Sequence, residues 1–240
     1  MERVWSDQLA DFVGQPVQLA GWLHHQRQLA RLTFLLLRDG RGTVQVVLED
    51  PELRARVAAR PAESVLRIEG EVAAVPQAPG GLEIRQPRLH LLSEPEGPLP
   101  FDLWRPELGL QLPTLLDHAA LSWRHPRQRA LSRVAAAAVS GFRSCLDARG
   151  FVEIQTPKLV ASATEGGANV FAVGYFGRPA FLAQSPQFYK QTMVGVHERV
   201  YETVPVFRAE PHDTSRHLAE YLSLDAEMGF IADHREVMAC

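Results

Sequence analysis

The chain has 240 residues, of which 46% are hydrophobic, and a formal net charge of −3 at pH 7. Such a length and composition provide a packed core for one large domain or two ordinary ones. The charge excludes a broadly basic, non-specific nucleic-acid binder but leaves room for local readout by a few arginines and aromatics. The two cysteines, Cys145 and Cys240, sit in no CxxC or Cys/His cluster, which argues for a reducing compartment and against a structural zinc site. The N-terminus "MERVWSDQLADFVG" lacks a signal-peptide core, and the longest apolar runs are too short for a membrane span, so a cytoplasmic protein is expected.

Residues 16–50 contain three strand-like runs. The "RDGRGT" between "TFLLL" and "VQVV" predicts a hairpin, with Gly40 and Gly42 supplying positive φ. "PELRARVAA" reads as a short helix, followed by the strand runs "SVLRIEGEVAAV" and "LEIRQPRLHLL". Five short strands with a helix after the third is the economy of an OB-fold barrel or another small barrel. Residues 1–95 are assigned to it. Prolines at 95, 98, 100, 106 and 113 forbid a long helix and mark residues 96–122 as a linker.

From Arg124 to Arg149 the pattern is helical, Ala-rich and amphipathic, with Gly150 as its stop. "FVEIQTPKLV" follows as an alternating strand closed off by Pro157, then short strands "VFAVGYF" and "AFLAQ". "SPQFYKQTMVGVH" is a helix with Ser185 as N-cap and Pro186 at the first helical position. The last stretch, "FRAEPHDTSRHLAEYLSLDAEMGF", holds two arginines, two histidines and five acidic residues among alternating apolar positions. This predicts two half-buried antiparallel strands joined by a polar loop. An arginine two residues before a glutamate on a strand puts both on one face, where they form either a phosphate and amine site or a structural ion pair. Two histidines five apart, without HExxH or a cysteine, carry little zinc-site signal.

"GFVEIQTPKLV" followed by "FRAE…RH…E" resembles motifs 1 and 2 of the class II aminoacyl-tRNA synthetases. "TEGGANVF", "LAQSPQFYKQ" and "FRAEPHDTSRHLAEYLSLDAEMGF" are similar to the aspartyl-tRNA synthetases of archaeal and eukaryotic type, and "FLLLRDGRGTVQVV" to that family's anticodon-binding OB domain. The resemblance implies an α+β chain, with an N-terminal OB-fold β-barrel and the N-terminal half of a class II antiparallel-sheet catalytic domain over 123–240. It implies an aspartate–tRNA ligase using ATP and Mg2+, with L-aspartate and tRNA(Asp) as substrates, acting as a homodimer through the motif 1 helix and strand around 133–158. Arg208 then binds the ATP α-phosphate, Glu210 lies near the adenine amino group and the tRNA end, Arg216 and His217 are placed for the outer phosphates, and Leu218 belongs to the ATP-binding set. Tyr221 stands where the family usually stacks a phenylalanine on adenine. Lys190 pairs with the substrate's side-chain carboxylate, while Gln187, Glu165, Ser162 and Asp225 surround its ammonium, beneath a mobile "TEGGAN" loop.

In the barrel, the resemblance implies that Phe34 stacks on the middle anticodon uridine, Gln45 hydrogen-bonds to it and Arg27 contacts a backbone phosphate. His24, His25 and Pro79 fall where relatives differ in strictness toward the third anticodon base, which implies a non-discriminating enzyme that also charges tRNA(Asn). The sequence stops after motif 2, so motif 3 and the Mg2+ ligands are expected beyond it, and no metal site is expected within it. Two rival readings are an asparaginyl or tRNA-free asparagine synthetase relative, and a non-catalytic tRNA-binding fragment.

Overall fold

The computed structural model describes residues 2–163, 169–212, 214 and 216–240. The chain divides into two compact units, Met1–Gln128 and Arg129–Cys240. Among the described residues, no helix is long and apolar enough to cross a membrane.

In the first unit, strands β1 (Pro16–Gln28), β2 (Thr33–Arg38), β3 (Thr43–Leu48), β4 (Val65–Ala74) and β5 (Leu82–Ser93) close into a barrel in the order β1-β2-β3-β5-β4. Helix α1 (Pro51–Ala58) follows the third strand, as the sequence predicts. Its start is fixed by Asp50, whose carboxylate accepts the Leu53 N–H at 2.7 Å, with Pro51 opening the first turn. Period-2 alternation sends Leu35, Leu37, Val44 and Val46 into the core beside Leu19, Ile68 and Ile84. The opposite face of the same strands carries Phe34 and Gln45. Pairing of Phe34 with Val47 and of Leu36 with Gln45 sets these two side chains close together on that face. Strands β1 and β2 approach so closely that a Cβ at Gly21 would run into the Arg38 carbonyl oxygen.

The β2–β3 hairpin forms as expected, but neither Gly40 nor Gly42 adopts a positive φ. The Asp39 carboxylate closes the turn instead, accepting the N–H groups of Arg41 at 2.8 Å and Gly42 at 2.9 Å, together with that of Ser6 at 2.7 Å. Burial pushes the Asp39 carboxyl up, but these hydrogen bonds outweigh it and hold its pKa below the ordinary value. The glycines serve close packing: a Cβ at Gly42 would lie 3.0 Å from the Ser6 hydroxyl. Beyond β5 the proline-rich segment has only short helices, α2 (Leu112–Asp117) and α3 (Ala119–Ser122). It turns back on the barrel, where Trp104 stacks on His25 and Arg124 reaches Glu63.

The second unit carries helix α4 (Pro126–Asp147), which stops before Gly150 at φ 77°, a left-handed conformation that suits glycine. The predicted "FVEIQTPKLV" strand splits into β6 (Val152–Glu153) and β7 (Leu159–Val160), because Pro157 between them lacks the N–H that a ladder needs. One sheet has the order β11-β10-β6, with β10 (Arg199–Phe207) antiparallel to β11 (Glu220–Met228); the other has the order β7-β9-β8, with β8 (Ala172–Tyr175) and β9 (Arg178–Leu182). Helices α5 (Gln187–His197) and α6 (His234–Met238) complete the unit. Leu146, Phe151 and Tyr201 form its buried cluster. Burial and a 2.7 Å hydrogen bond to Asp147 push the Tyr201 hydroxyl up to about 12.

Candidate functional site

The β10–β11 hairpin gathers polar side chains on one face by register alone. Val206 faces Tyr221, Val204 faces Ser223, Glu202 faces Asp225 and Val200 faces Glu227. On β11 the residues of this face are half-buried while Leu222 and Leu224 between them are exposed, matching the alternation seen in the sequence. Arg208 and Glu210 lie just past the end of β10 rather than on it, although the Arg208 N–H donates to the Ala219 carbonyl at 2.9 Å and extends the ladder one step.

At this end of the hairpin opens a pocket of about 460 Å³ lined by Arg208, Glu210, Arg216, His217, Leu218 and Tyr221. The Arg208 guanidinium carbon lies 5.8 Å from the Tyr221 ring centre. The His217 ring is oriented by Thr214, its Nδ1 lying 2.7 Å from the hydroxyl, and its Nε2 is 3.9 Å from Glu210. Two guanidiniums and an imidazole around one cavity form an anion site, and the phenol ring adds a flat surface for a base.

One helix away, Lys190 on α5 places its ammonium 2.5 Å from Asp225 and 3.1 Å from Glu227. Burial pushes its pKa down, but the two carboxylates more than offset this and hold it above the ordinary value, so the cation persists at neutral pH. Gln187 opens the same helix, its N–H donating to the Ser185 hydroxyl at 3.3 Å. The helix begins one residue later than predicted, with Pro186 rather than Ser185 at the cap. Ser162 is exposed in the segment after β7, and Glu165 and the glycines of "TEGGAN" lie outside the described residues. The structure adds Glu202, 1% exposed, whose carboxylate accepts from the Thr156 N–H at 2.6 Å and from Lys158 at 3.0 Å and so ties the loop before β7 to the hairpin. Among the described residues no three His, Cys, Asp or Glu side chains gather to hold a metal. Asp225 and Glu227 are both held by Lys190, so the donor set does not suit Mg2+.

The barrel has a second cavity of about 460 Å³, lined by Arg27, Phe34, Gln45, Pro79, His25 and Trp104 among others. The Gln45 amide donates to Glu83 at 2.9 Å, and Glu83, 4% exposed, also accepts from Arg85 at 2.8 Å. The amide carbonyl and its second N–H remain as an acceptor and a donor. A bulge in β1 between Leu23 and His25 breaks the alternation. His24 is therefore buried, its Nδ1 3.8 Å from Glu63, while His25 reaches the cavity wall.

Residues 111–240 match the family described as tRNA synthetases class II (D, K and N), and residues 17–92 match an OB-fold nucleic acid binding domain. The chain belongs to the class II tRNA synthetases. Among curated relatives, it is 49% identical to the aspartate–tRNA(Asp/Asn) ligase of Thermus thermophilus, over 98% of this chain and 54% of that one. It is 44% identical to the ligase of the same name from Deinococcus radiodurans, over 99% of this chain and 53% of the relative. Among solved structures, asparaginyl-tRNA synthetase from Pyrococcus horikoshii complexed with asparaginyl-adenylate superimposes with a TM-score of 0.91 at 30% identity, covering 100% of this chain and 55% of the other. The chain thus spans about half the length of the relatives it matches. As a class II synthetase, it pairs a closed OB-fold barrel with part of the class II catalytic domain.

Proposed function

We propose that this synthetase chain supplies the anticodon-reading barrel and the ATP pocket of an aspartate–tRNA ligase that charges both tRNA(Asp) and tRNA(Asn). The observation that carries the reading is the convergence of Arg208, Glu210, Arg216, His217 and Tyr221 on one cavity at the end of the β10–β11 hairpin. Arg208 holds the α-phosphate and withdraws charge as the aspartate carboxylate attacks in line, and Arg216 and His217 hold the outer phosphates. Tyr221 stacks on adenine, with Glu210 beside the adenine amino group. The reaction is positioning and electrostatics, without covalent help from the protein. Mg2+ would neutralise charge on the ATP phosphates; among the described residues no cluster of side chains suits it.

Lys190 meets the substrate's side-chain carboxylate, and Asp225, Gln187, Glu165 and Ser162 serve the ammonium. Lys190→Gln is expected to raise the aspartate KM by about 10- to 100-fold, the cost of one charge-assisted hydrogen bond, with the ATP KM little changed. Steady-state exchange kinetics measure the two constants separately.

In the barrel, Phe34 stacks on the middle uridine while the Gln45 carbonyl accepts its N3–H, with Arg27 on the backbone. Leu131 and Val134 of α4, 55% and 68% exposed, support a homodimer. ATP–pyrophosphate exchange by a gene-length protein that includes this chain tests the reading: aspartate is expected to drive it, and asparagine to fail. Exchange driven by asparagine instead would establish the asparaginyl reading, which the likeness to the Pyrococcus horikoshii structure favours.

A further inference from the structure

A buried ion pair in the second unit lies outside both the ATP pocket and the Lys190 cluster. Glu202 on β10 is 1% exposed, and its carboxylate accepts from the Thr156 N–H at 2.6 Å, the Thr156 hydroxyl at 2.9 Å and the Lys158 ammonium at 3.0 Å. In register it stands opposite Asp225 on β11, which is held by a different lysine, Lys190. Two carboxylates directly opposite each other weaken a sheet, and a buried ion pair gains little over an apolar pair of similar volume. Stability alone therefore gives a weak reason for a charge at this position.

The pair closes a circuit of bonds that begins and ends on β10. The Lys158 carbonyl accepts the Ala183 N–H at 2.9 Å, and the Ala183 carbonyl accepts the Phe207 N–H at 3.0 Å. Phe207 is the last residue of β10 and immediately precedes Arg208. In the other direction from Ala183, the chain runs through buried Gln184 to Pro186, whose carbonyl accepts the Lys190 N–H at 2.9 Å. Ala183, itself buried, is thus a branch point from which one path leads to Arg208 and the other to Lys190. Lys158 fixes that branch point, and Glu202 fixes Lys158.

Resting on the ligase reading above, we infer that Glu202 and Lys158 are positioning residues that set the spacing between the Lys190 ammonium and the Arg208 guanidinium. Neither touches a substrate. Lys190 holds the aspartate by its side chain and Arg208 holds the α-phosphate. The distance between them decides whether the aspartate α-carboxylate meets the phosphorus in line. A displacement of about 1 Å between two such groups costs up to about 10²-fold in rate, while each still binds its own ligand. The deficit then falls on kcat and spares both KM values. Glu202→Gln isolates the contact: its carbonyl oxygen still accepts the Thr156 N–H, but its amide N–H groups cannot pair with the Lys158 ammonium, which only donates. The Lys158 side chain, 17% exposed, can then turn to water without leaving a buried charge.

The test is ATP–pyrophosphate exchange by a gene-length protein that includes this chain, with calorimetric titration of ATP to count intact sites. Glu202→Gln and Lys158→Met are each expected to lower kcat about 10²-fold, with the KM values for aspartate and ATP within about threefold of wild type. The number of ATP sites per chain should stay as in wild type. The double substitution should be no slower than the slower single one, because both remove the same contact. Lys158→Arg, which keeps charge and reach, should recover most of the rate. Wild-type kcat in both single variants, or a loss of rate matched by a loss of ATP sites, makes the pair a structural clasp, and the inference fails. A loss confined to the aspartate KM, or losses that multiply in the double variant, also overturns it, since the two subsites would then share no spacing. Wild-type protein that shows no exchange with aspartate, or exchange indifferent to Arg208→Ala, would instead overturn the ligase reading beneath it.

Discussion

In a gene-length protein that includes this chain, Arg208→Ala is expected to slow aspartate-dependent ATP–pyrophosphate exchange by about 10³-fold, with most of the loss in kcat. The pocket around Arg208 also contains Arg216 and His217; on the proposed reading these take the outer phosphates, so ATP would stay bound when one cation is removed. What cannot be replaced is a fork-shaped cation at the α-phosphate, where charge develops as the pyrophosphate leaves. Arg208→Lys keeps the charge but not the two-pronged geometry, and should recover only about tenfold of the loss. The position is fixed by backbone pairing of Arg208 with Ala219, which neither substitution disturbs, so the fold should survive both. Calorimetric titration with ATP separates the outcomes. An affinity within about fivefold of wild type, beside a large kcat loss, identifies a group that acts in the transition state. A proportional loss of ATP affinity would make Arg208 a ground-state phosphate ligand, and unchanged exchange would remove it from the site.

Much of this site was legible because strand periodicity acts locally. "YLSLDAEMGF" places Tyr221, Asp225 and Glu227 on one face whatever the rest of the chain does. The five-strand barrel was legible for the same reason, from short alternating runs separated by turn residues. What the sequence concealed depends on contacts between distant segments. Glu202 reads as an unremarkable charge in a strand until Thr156 and Lys158 arrive from another segment to satisfy it. Glu227 was visible by alternation but acquires meaning only when Lys190 chooses it together with Asp225. His24 and His25 are neighbours in sequence with opposite fates, because a bulge in β1 breaks the period that would have predicted their directions. Trp104 looked like part of a proline-rich linker; nothing within ten residues of it indicates that it stacks on the barrel.

Beneath that stack lies the interaction with the largest expected effect on stability. Glu63, 3% exposed, accepts from Arg38 at 2.6 and 2.9 Å and from Arg124 at 2.8 Å, with His24 beside it. Burial alone would push its carboxyl up, but His24, Arg124 and Arg38 together hold it at about 2. Glu63→Gln leaves the buried Arg38 charge without its counter-ion and is expected to cost about 3 kcal/mol, lowering the unfolding temperature of the first unit by roughly 10 °C. All four tryptophans, Trp5, Trp22, Trp104 and Trp123, belong to that unit, so their fluorescence follows its unfolding selectively. The pH dependence carries a definite sign. Because the folded pKa is depressed, the unfolded chain binds the extra proton, and the stabilisation is present above the ordinary 4.5 and lost as pH falls toward about 2. Wild type should therefore lose about 3 kcal/mol across that window, and Glu63→Gln should lack that component of the loss. Parallel stability curves for the two proteins between pH 5 and pH 2 would show that Glu63 is not the titrating anchor, and the acid sensitivity would then belong to other carboxylates such as Asp39 in the β2–β3 turn.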